Sequence, residues 1–131
     1  MRLLLDTHIA LWAITDNPKL SIQALSLIQD PANEILLSVV SLWEIAIKHP
    51  LSRKGSGAMP LSGAEAWVRF EAAGYPLLDI NPTHILELEL LPPLHGDPFD
   101  RLLVAQARSE NLKLLTRDAA LLGYGEEVIR V

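Results

Sequence analysis

At 131 residues the chain has the length of one ordinary domain, enough to bury roughly two-thirds of the surface its unfolded form exposes. Half its residues are apolar, 21% are charged and none is cysteine. That excludes general disorder, a disulfide framework, a thiolate metal site and a cysteine nucleophile. Eleven basic residues against sixteen acidic ones leave a net charge of −5, so a role with nucleic acid needs a local basic patch or a bridging cation.

Residues 3–5 are three leucines ending at Asp6, as a buried strand of a parallel sheet reads. Residues 7–14 form a short helix that Asp16-Asn17-Pro18 breaks. Ser21 is the N-cap of a second helix reaching Gln29, with Ile22, Leu25 and Ile28 at helical spacing. Residues 34–38 make the next strand. Ser41-Leu42-Trp43-Glu44 has the form of a capping box and opens a helix through Lys48. Residues 50–60, with Ser52, Arg53, Lys54, Gly55, Ser56 and Gly57, read as a mobile loop.

Ser62 and Glu65 form another capping box, and Gly74 closes that helix. Residues 75–80 read as a strand. Asn81-Pro82 is an N-cap followed by proline at the first helical position, which starts a helix over 82–90. Asp97-Pro98 repeats the device and starts a helix to about Glu110. Residues 112–115 are a strand, 118–122 a short helix followed by Gly123, and 127–131 a last strand. The alternation argues an α/β fold, one domain over 1–131, with a mostly parallel central sheet and helices on both faces. No stretch approaches the ~20 apolar residues of a membrane span, and no targeting segment precedes Asp6, so a soluble cytoplasmic protein without a membrane partner is expected.

Four carboxylates fall at element junctions: Asp6 after the first strand, Glu44 and Asp100 in the first turns of their helices, and Asp118 beyond the 112–115 strand. Ligands of open parallel sheets bind at the carboxyl ends of strands, so all four acids can converge on one edge. Clustered carboxylates need protons or a cation, and hard oxygen donors without cysteine point to Mg²⁺ or Mn²⁺. Taken singly, Asp118 reads as an N-cap and Glu44 equally well as part of a capping box. Asp6 is different, because a charge ending an all-apolar buried strand is costly without a partner. Asp97 precedes Pro98 and is expected to be the helix cap, which leaves Asp100 free to project toward Asp6.

Four motifs in order carry a family resemblance: Met1–Trp12 with Leu5-Asp6-Thr7-His8; Ser38 with Ser41-Leu42-Trp43-Glu44-Ile45-Ala46-Ile47-Lys48; His95-Gly96-Asp97-Pro98-Phe99-Asp100-Arg101-Leu102-Leu103-Val104-Ala105-Gln106-Ala107; and Leu115-Thr116-Arg117-Asp118. Together they resemble a PIN domain, and within it the VapC-type toxin ribonucleases of toxin–antitoxin pairs. The resemblance implies a Mg²⁺- or Mn²⁺-dependent endoribonuclease that cuts single-stranded or looped RNA. It implies Asp6 and Asp100 as main metal ligands, with Glu44 and Asp118 completing the acidic pocket. Thr7 and Thr116 are implied as residues orienting water or the acids. A homodimer and a small antitoxin that inserts into the active-site groove are the implied partners.

Two other functions compete. One is a catalytically silent interaction module of the same fold, against which the presence of all four acids argues. The other is a receiver-like phosphotransfer domain, which wants adjacent acids after the first strand, where this chain has Asp6-Thr7. Trp43 and Trp67 read as packing residues, and His8 as a packed or surface histidine. His95 reads as fixing its loop. Lys48, Arg53, Lys54, Arg101 and Arg117 could rim the pocket and hold phosphates, or belong to a solvated face.

Overall fold

A computed structural model describes residues 1–52 and 59–131. Arg53 and Lys54, with most of the expected mobile loop, lie outside the described residues. The elements run β1 (Arg2–Leu5), α1 (Thr7–Ile14), α2 (Ile22–Gln29), β2 (Glu34–Ser38), α3 (Val39–Lys48), α4 (Gly63–Ala73), β3 (Leu77–Leu78), α5 (Pro82–Leu90), α6 (Pro98–Glu110), β4 (Lys113–Thr116) and β5 (Val128–Arg130). Two 3₁₀ segments, His49–Leu51 and Ala119–Tyr124, complete the order.

Among the described residues the strands form one sheet in the order β3-β2-β1-β4-β5, every pair parallel. The unbroken apolar strands follow from burial on both faces. Leu4, Leu36 and Leu114 point into one core with Leu103 and Val104 of α6, whereas Leu3, Leu5, Ile35, Leu37 and Leu115 point into the other with Ile9, Ala24 and Phe70. Adjacent residues of one strand thus serve opposite cores, the period of two that a pleated strand imposes. None of the helices among the described residues is long and apolar enough to cross a membrane.

The chain leaves β1 for β2 and β3 on one side of the sheet and returns to β4 and β5 on the other. The order therefore reverses between β1 and β4, and in open α/β sheets ligands bind in the crevice outside the strand ends at such a point. Asp6 follows β1 and Asp118 follows β4, so both acids stand at that crevice.

Four local expectations need correction. The third helix begins at Val39, not at Ser41: Ser38 has extended backbone and its hydroxyl accepts from Val40 N. Ser41 is already helical and buried, and Glu44 sits in the second turn, where it pairs with Lys48 instead of closing a capping box. The 75–80 strand shrinks to Leu77–Leu78, since it is an edge strand paired only with β2, and Pro76 has no N–H to give. The turn after Asp118 is 3₁₀ and runs through Gly123 to Tyr124. At the start of the expected loop, the chain makes a 3₁₀ turn over His49–Leu51.

The other caps follow the sequence signals. Ser62 and Glu65 form a reciprocal capping box, Gly74 ends α4 at φ 76°, and Asn81 with Pro82 starts α5. Asp97 with Pro98 starts α6, whose first turn lies beside the strand ends.

Candidate active site

Asp6 is 6% exposed and anchored from three directions. Its N–H donates to Leu115 O at 2.9 Å, its Oδ1 caps α1 by accepting from His8 N at 3.3 Å, and its Oδ2 accepts from the Thr116 hydroxyl. Burial pushes the Asp6 carboxyl above its usual range; the Thr116 and His8 contacts offset only part of this, and the Glu44 charge adds to it. The Thr116 hydroxyl also accepts from Asp118 N at 3.0 Å, so one threonine bridges the two acids across the β1–β4 crevice.

Asp118 serves two purposes. Oδ1 caps the following turn by accepting from Ala120 N at 2.9 Å, and Oδ2 lies 2.8 Å from His95 Nε2. Asp97 N donates to His95 Nδ1 at 3.1 Å, so Nδ1 is an acceptor and the ring proton sits on Nε2. His95 therefore donates to Asp118, with Asp100 Oδ2 3.7 Å away. The sequence reading confined His95 to its loop; the structure puts it in the pocket.

Asp97 is the N-cap of α6: Oδ1 accepts from Phe99 N at 2.8 Å and from Asp100 N at 3.3 Å. Oδ2 accepts from Lys48 Nζ at 3.0 Å. Burial works against the Asp97 charge, but the Lys48 bond, the two backbone N–H groups and the Lys48 charge outweigh it and hold the carboxyl below its usual range. Replacing Asp97 with alanine removes the cap and should cost about 1 kcal/mol, read as a lowered melting temperature in chelator.

Asp100, three residues on, has no such support. Burial first, then the charges of Asp6, Asp97 and Glu44, push its pKa up to about 8, with Lys48 pulling weakly the other way. Glu44 is 2% exposed; Oε2 accepts from Lys48 Nζ at 2.6 Å, whereas Oε1 is buried with no partner among the described residues. Burial opposes the Lys48 charge, but its bonds to Glu44 and Asp97 prevail and raise its pKa.

Two sets of atoms lie close enough to surround an ion, those of each set within 4.8 Å of one another: Glu44, Asp97 and Asp100, and His95, Asp100 and Asp118, in which His95 would have to give up its Nε2 proton to act as a ligand. Asp100 belongs to both. Asp6 stands outside both sets, although its charge acts on Asp100. The donors fit a hard divalent cation: they are mostly carboxylate oxygens, one is buried without a partner, and Asp100 binds its proton into the alkaline range where no other cation compensates.

Other candidates take different places. The Thr7 hydroxyl donates to Ser41 Oγ at 2.9 Å, tying α1 to α3. Arg101 turns Nη2 to Leu91 O at 3.4 Å, and Arg117 lies over the Trp12 ring at 5.4 Å, with His8 5.9 Å from the same ring. Trp43 is half exposed and packs edge-on against Phe99, while Trp67 is partly buried on α4.

Ser38 and Gln106, both within the family motifs, belong to a buried polar chain whose other members the sequence does not point to. Ser38 donates to Gln106 Oε1, and Gln106 Nε2 lies 3.3 Å from both Asp79 O and His84 Nδ1. Because His84 Nδ1 also accepts from Asn81 N, Nε2 carries the proton and donates to Glu110 at 2.8 Å. The chain locks α5 and α6 to the start of α3, fixing the two helices that carry Asp100 and Glu44.

Comparison with known proteins bears on the whole arrangement. Ribonuclease VapC22 of Mycobacterium tuberculosis is 30% identical over 119 residues, which cover 90% of this chain and 88% of that protein. The structure resembles VapBC2 from Rickettsia felis bound to a promoter DNA fragment, with TM-score 0.69 and 19% identity over 100% of this chain and 98% of that one. It also resembles a toxin–antitoxin complex from Klebsiella pneumoniae, with TM-score 0.66 and 15% identity over 97% and 95% of the two chains. At these identities the structural likenesses establish the fold alone. The PIN domain family matches residues 3–126, and the chain belongs to that family.

Proposed function

We propose that this chain is a Mg²⁺- or Mn²⁺-dependent endoribonuclease, the toxin of a toxin–antitoxin pair, acting on RNA in the cytoplasm. The observation that carries the reading is the pocket itself: Asp100 shared by two ion-sized donor sets at the sheet's switch point, in a PIN domain related to a ribonuclease. In this reading Asp6 and Asp100 are the main ligands, and Glu44 and Asp118 complete the pocket. A divalent ion bound there supplies positive charge for a phosphodiester oxygen and lowers the pKa of a bound water.

The chain's own residues supply position. Thr116 holds Asp6 and the Asp118 backbone in one frame, so neither carboxylate has to be ordered when substrate arrives. His95 steadies the outer oxygen of Asp118, the more exposed of the acids. The Asp97 cap fixes the first turn of α6 and hence Asp100. Hydrolysis adds water across a P–O bond, and a pocket of acids can approach that anionic backbone only with its charge compensated.

A small antitoxin is proposed as a partner by analogy with the toxin–antitoxin complexes of the same fold, and a second copy of the chain on the family resemblance of the sequence motifs alone. Purified protein should cleave single-stranded or looped RNA with Mg²⁺ or Mn²⁺ and stop in EDTA. Cleavage that continues unchanged in excess chelator overturns the metal dependence. Intact RNA under every divalent condition, with partner binding retained, favours the silent interaction module.

A further inference from the structure

Lys48 stands inside the acidic cluster, not at its rim. Its Nζ lies 2.6 Å from Glu44 Oε2 and 3.0 Å from Asp97 Oδ2, two of the three residues in one ion-sized donor set. The ammonium also lies 5.4 Å from the centre of the Phe99 ring, and Trp43 packs edge-on against that ring at 4.7 Å between centroids. Two carboxylates and an aromatic face therefore fix the ammonium where an ion would otherwise sit. Glu44 Oε1 remains buried and unpartnered among the described residues, so the acceptor capacity of this corner exceeds what Lys48 takes up.

We propose that Lys48 is a built-in second cation: it occupies the Glu44–Asp97–Asp100 corner and limits the pocket to one divalent ion. The inference rests on the metal-dependent reading above. A second ion in this corner would draw on the same two carboxylates that Nζ holds, and it would have to enter beside the ammonium or displace it, against like-charge repulsion either way. An ion held by Asp100 and Asp118 on the other side meets no ammonium: His95 Nε2 lies 2.8 Å from Asp118 Oδ2, but when Nδ1 accepts from Asp97 N what the ion displaces there is a neutral N–H, without like-charge repulsion. The number of ions is then set by one side chain on α3.

Mn²⁺ titrations of the whole chain, followed by the electron paramagnetic resonance of free Mn²⁺ and by calorimetry, decide the matter without any RNA. Wild type should bind one ion. Lys48→Met should bind two, the second at least about tenfold tighter than any second event in wild type, as expected when a close like charge is removed. Lys48→Arg, which keeps the charge, should bind one. Lys48→Met also strips the partner from buried Glu44, so Mn²⁺ should raise its melting temperature more than that of wild type. If Lys48→Met folds only with metal present, elemental analysis of the folded protein still distinguishes one ion from two. Two ions of similar affinity in wild type, or a single ion in Lys48→Met, overturn this inference alone. A wild type that binds no Mn²⁺ overturns it together with the metal dependence proposed above.

Discussion

Asp100→Asn should lower divalent-dependent RNA cleavage by roughly a hundred- to a thousandfold or more, the range seen when a preorganised charge at a reacting centre is lost. The same variant should melt at a higher temperature than wild type in EDTA. Both effects come from one geometry. Burial and the charges of Asp6, Asp97 and Glu44 oppose the ionised form of Asp100, so it is a ligand waiting for a cation and must take up a proton on folding without one. Asparagine keeps the shape and is neutral already, so it avoids the cost of that proton. Asp97→Ala should show the opposite pair of results, a lower melting temperature with substantial cleavage retained, because that carboxylate is occupied by two backbone N–H groups and Lys48. RNase assays and melts in chelator on the two variants separate their roles. An active Asp100→Asn, or a dead but fully stable Asp97→Ala, reverses the assignment.

That pair of roles was legible in the sequence because it depends on local rules. Proline belongs at the first helical position, which makes Asp97 the cap and puts Asp100 in the first turn, and α6 is built that way. The sheet was equally legible: Leu3, Leu4 and Leu5 admit only burial on both faces. Ser41 misled because the Ser-x-x-Glu pattern is a local signal with two possible registers, and a tertiary contact decided between them. The Thr7 hydroxyl needs a buried partner on α3, and Ser41 supplies it only if the helix has already started at Val39. Glu44 then moves into the second turn, one helical turn before Lys48, and their pairing at spacing four follows.

The contacts of His95 could not be read from spacing, because its partner Asp118 comes from a different strand end. Gln106 and His84 had a readable trace. A glutamine within the buried run from Leu102 to Ala107 cannot face a core without partners, and a polar chain behind the helix was the inference available. Its member Ser38, 68 residues from Gln106, lies too far along the sequence to be named without the fold.

The stability of the metal-free protein should fall as pH rises from about 5 to 8, and divalent metal should reverse most of that fall. In the unfolded chain Asp100 and Asp6 ionise near their ordinary value of 3.8, whereas in the folded chain burial and neighbouring charges hold Asp6 above it and Asp100 up to about 8. Across this window the native state keeps protons that the unfolded state has already released. The stabilisation is therefore complete below the unfolded value and is lost as pH climbs through the folded one, at up to about 1.4 kcal/mol per pH unit for each such group. Asp97, held below its usual range, has the opposite sign, but its contribution disappears only as pH falls below 3.8 and leaves the window from 5 to 8 untouched. A divalent ion that takes the place of the Asp100 proton must release it, so the stabilisation added by Mg²⁺ or Mn²⁺ should be larger at pH 8 than at pH 5. Denaturant melts at both pH values, in EDTA and in saturating Mn²⁺, measure this directly, and Asp100→Asn should flatten the EDTA profile. Stability that rises between pH 5 and 8 in chelator would mean that Asp100 is already ionised in the folded protein, with its charge met inside the pocket before any metal arrives.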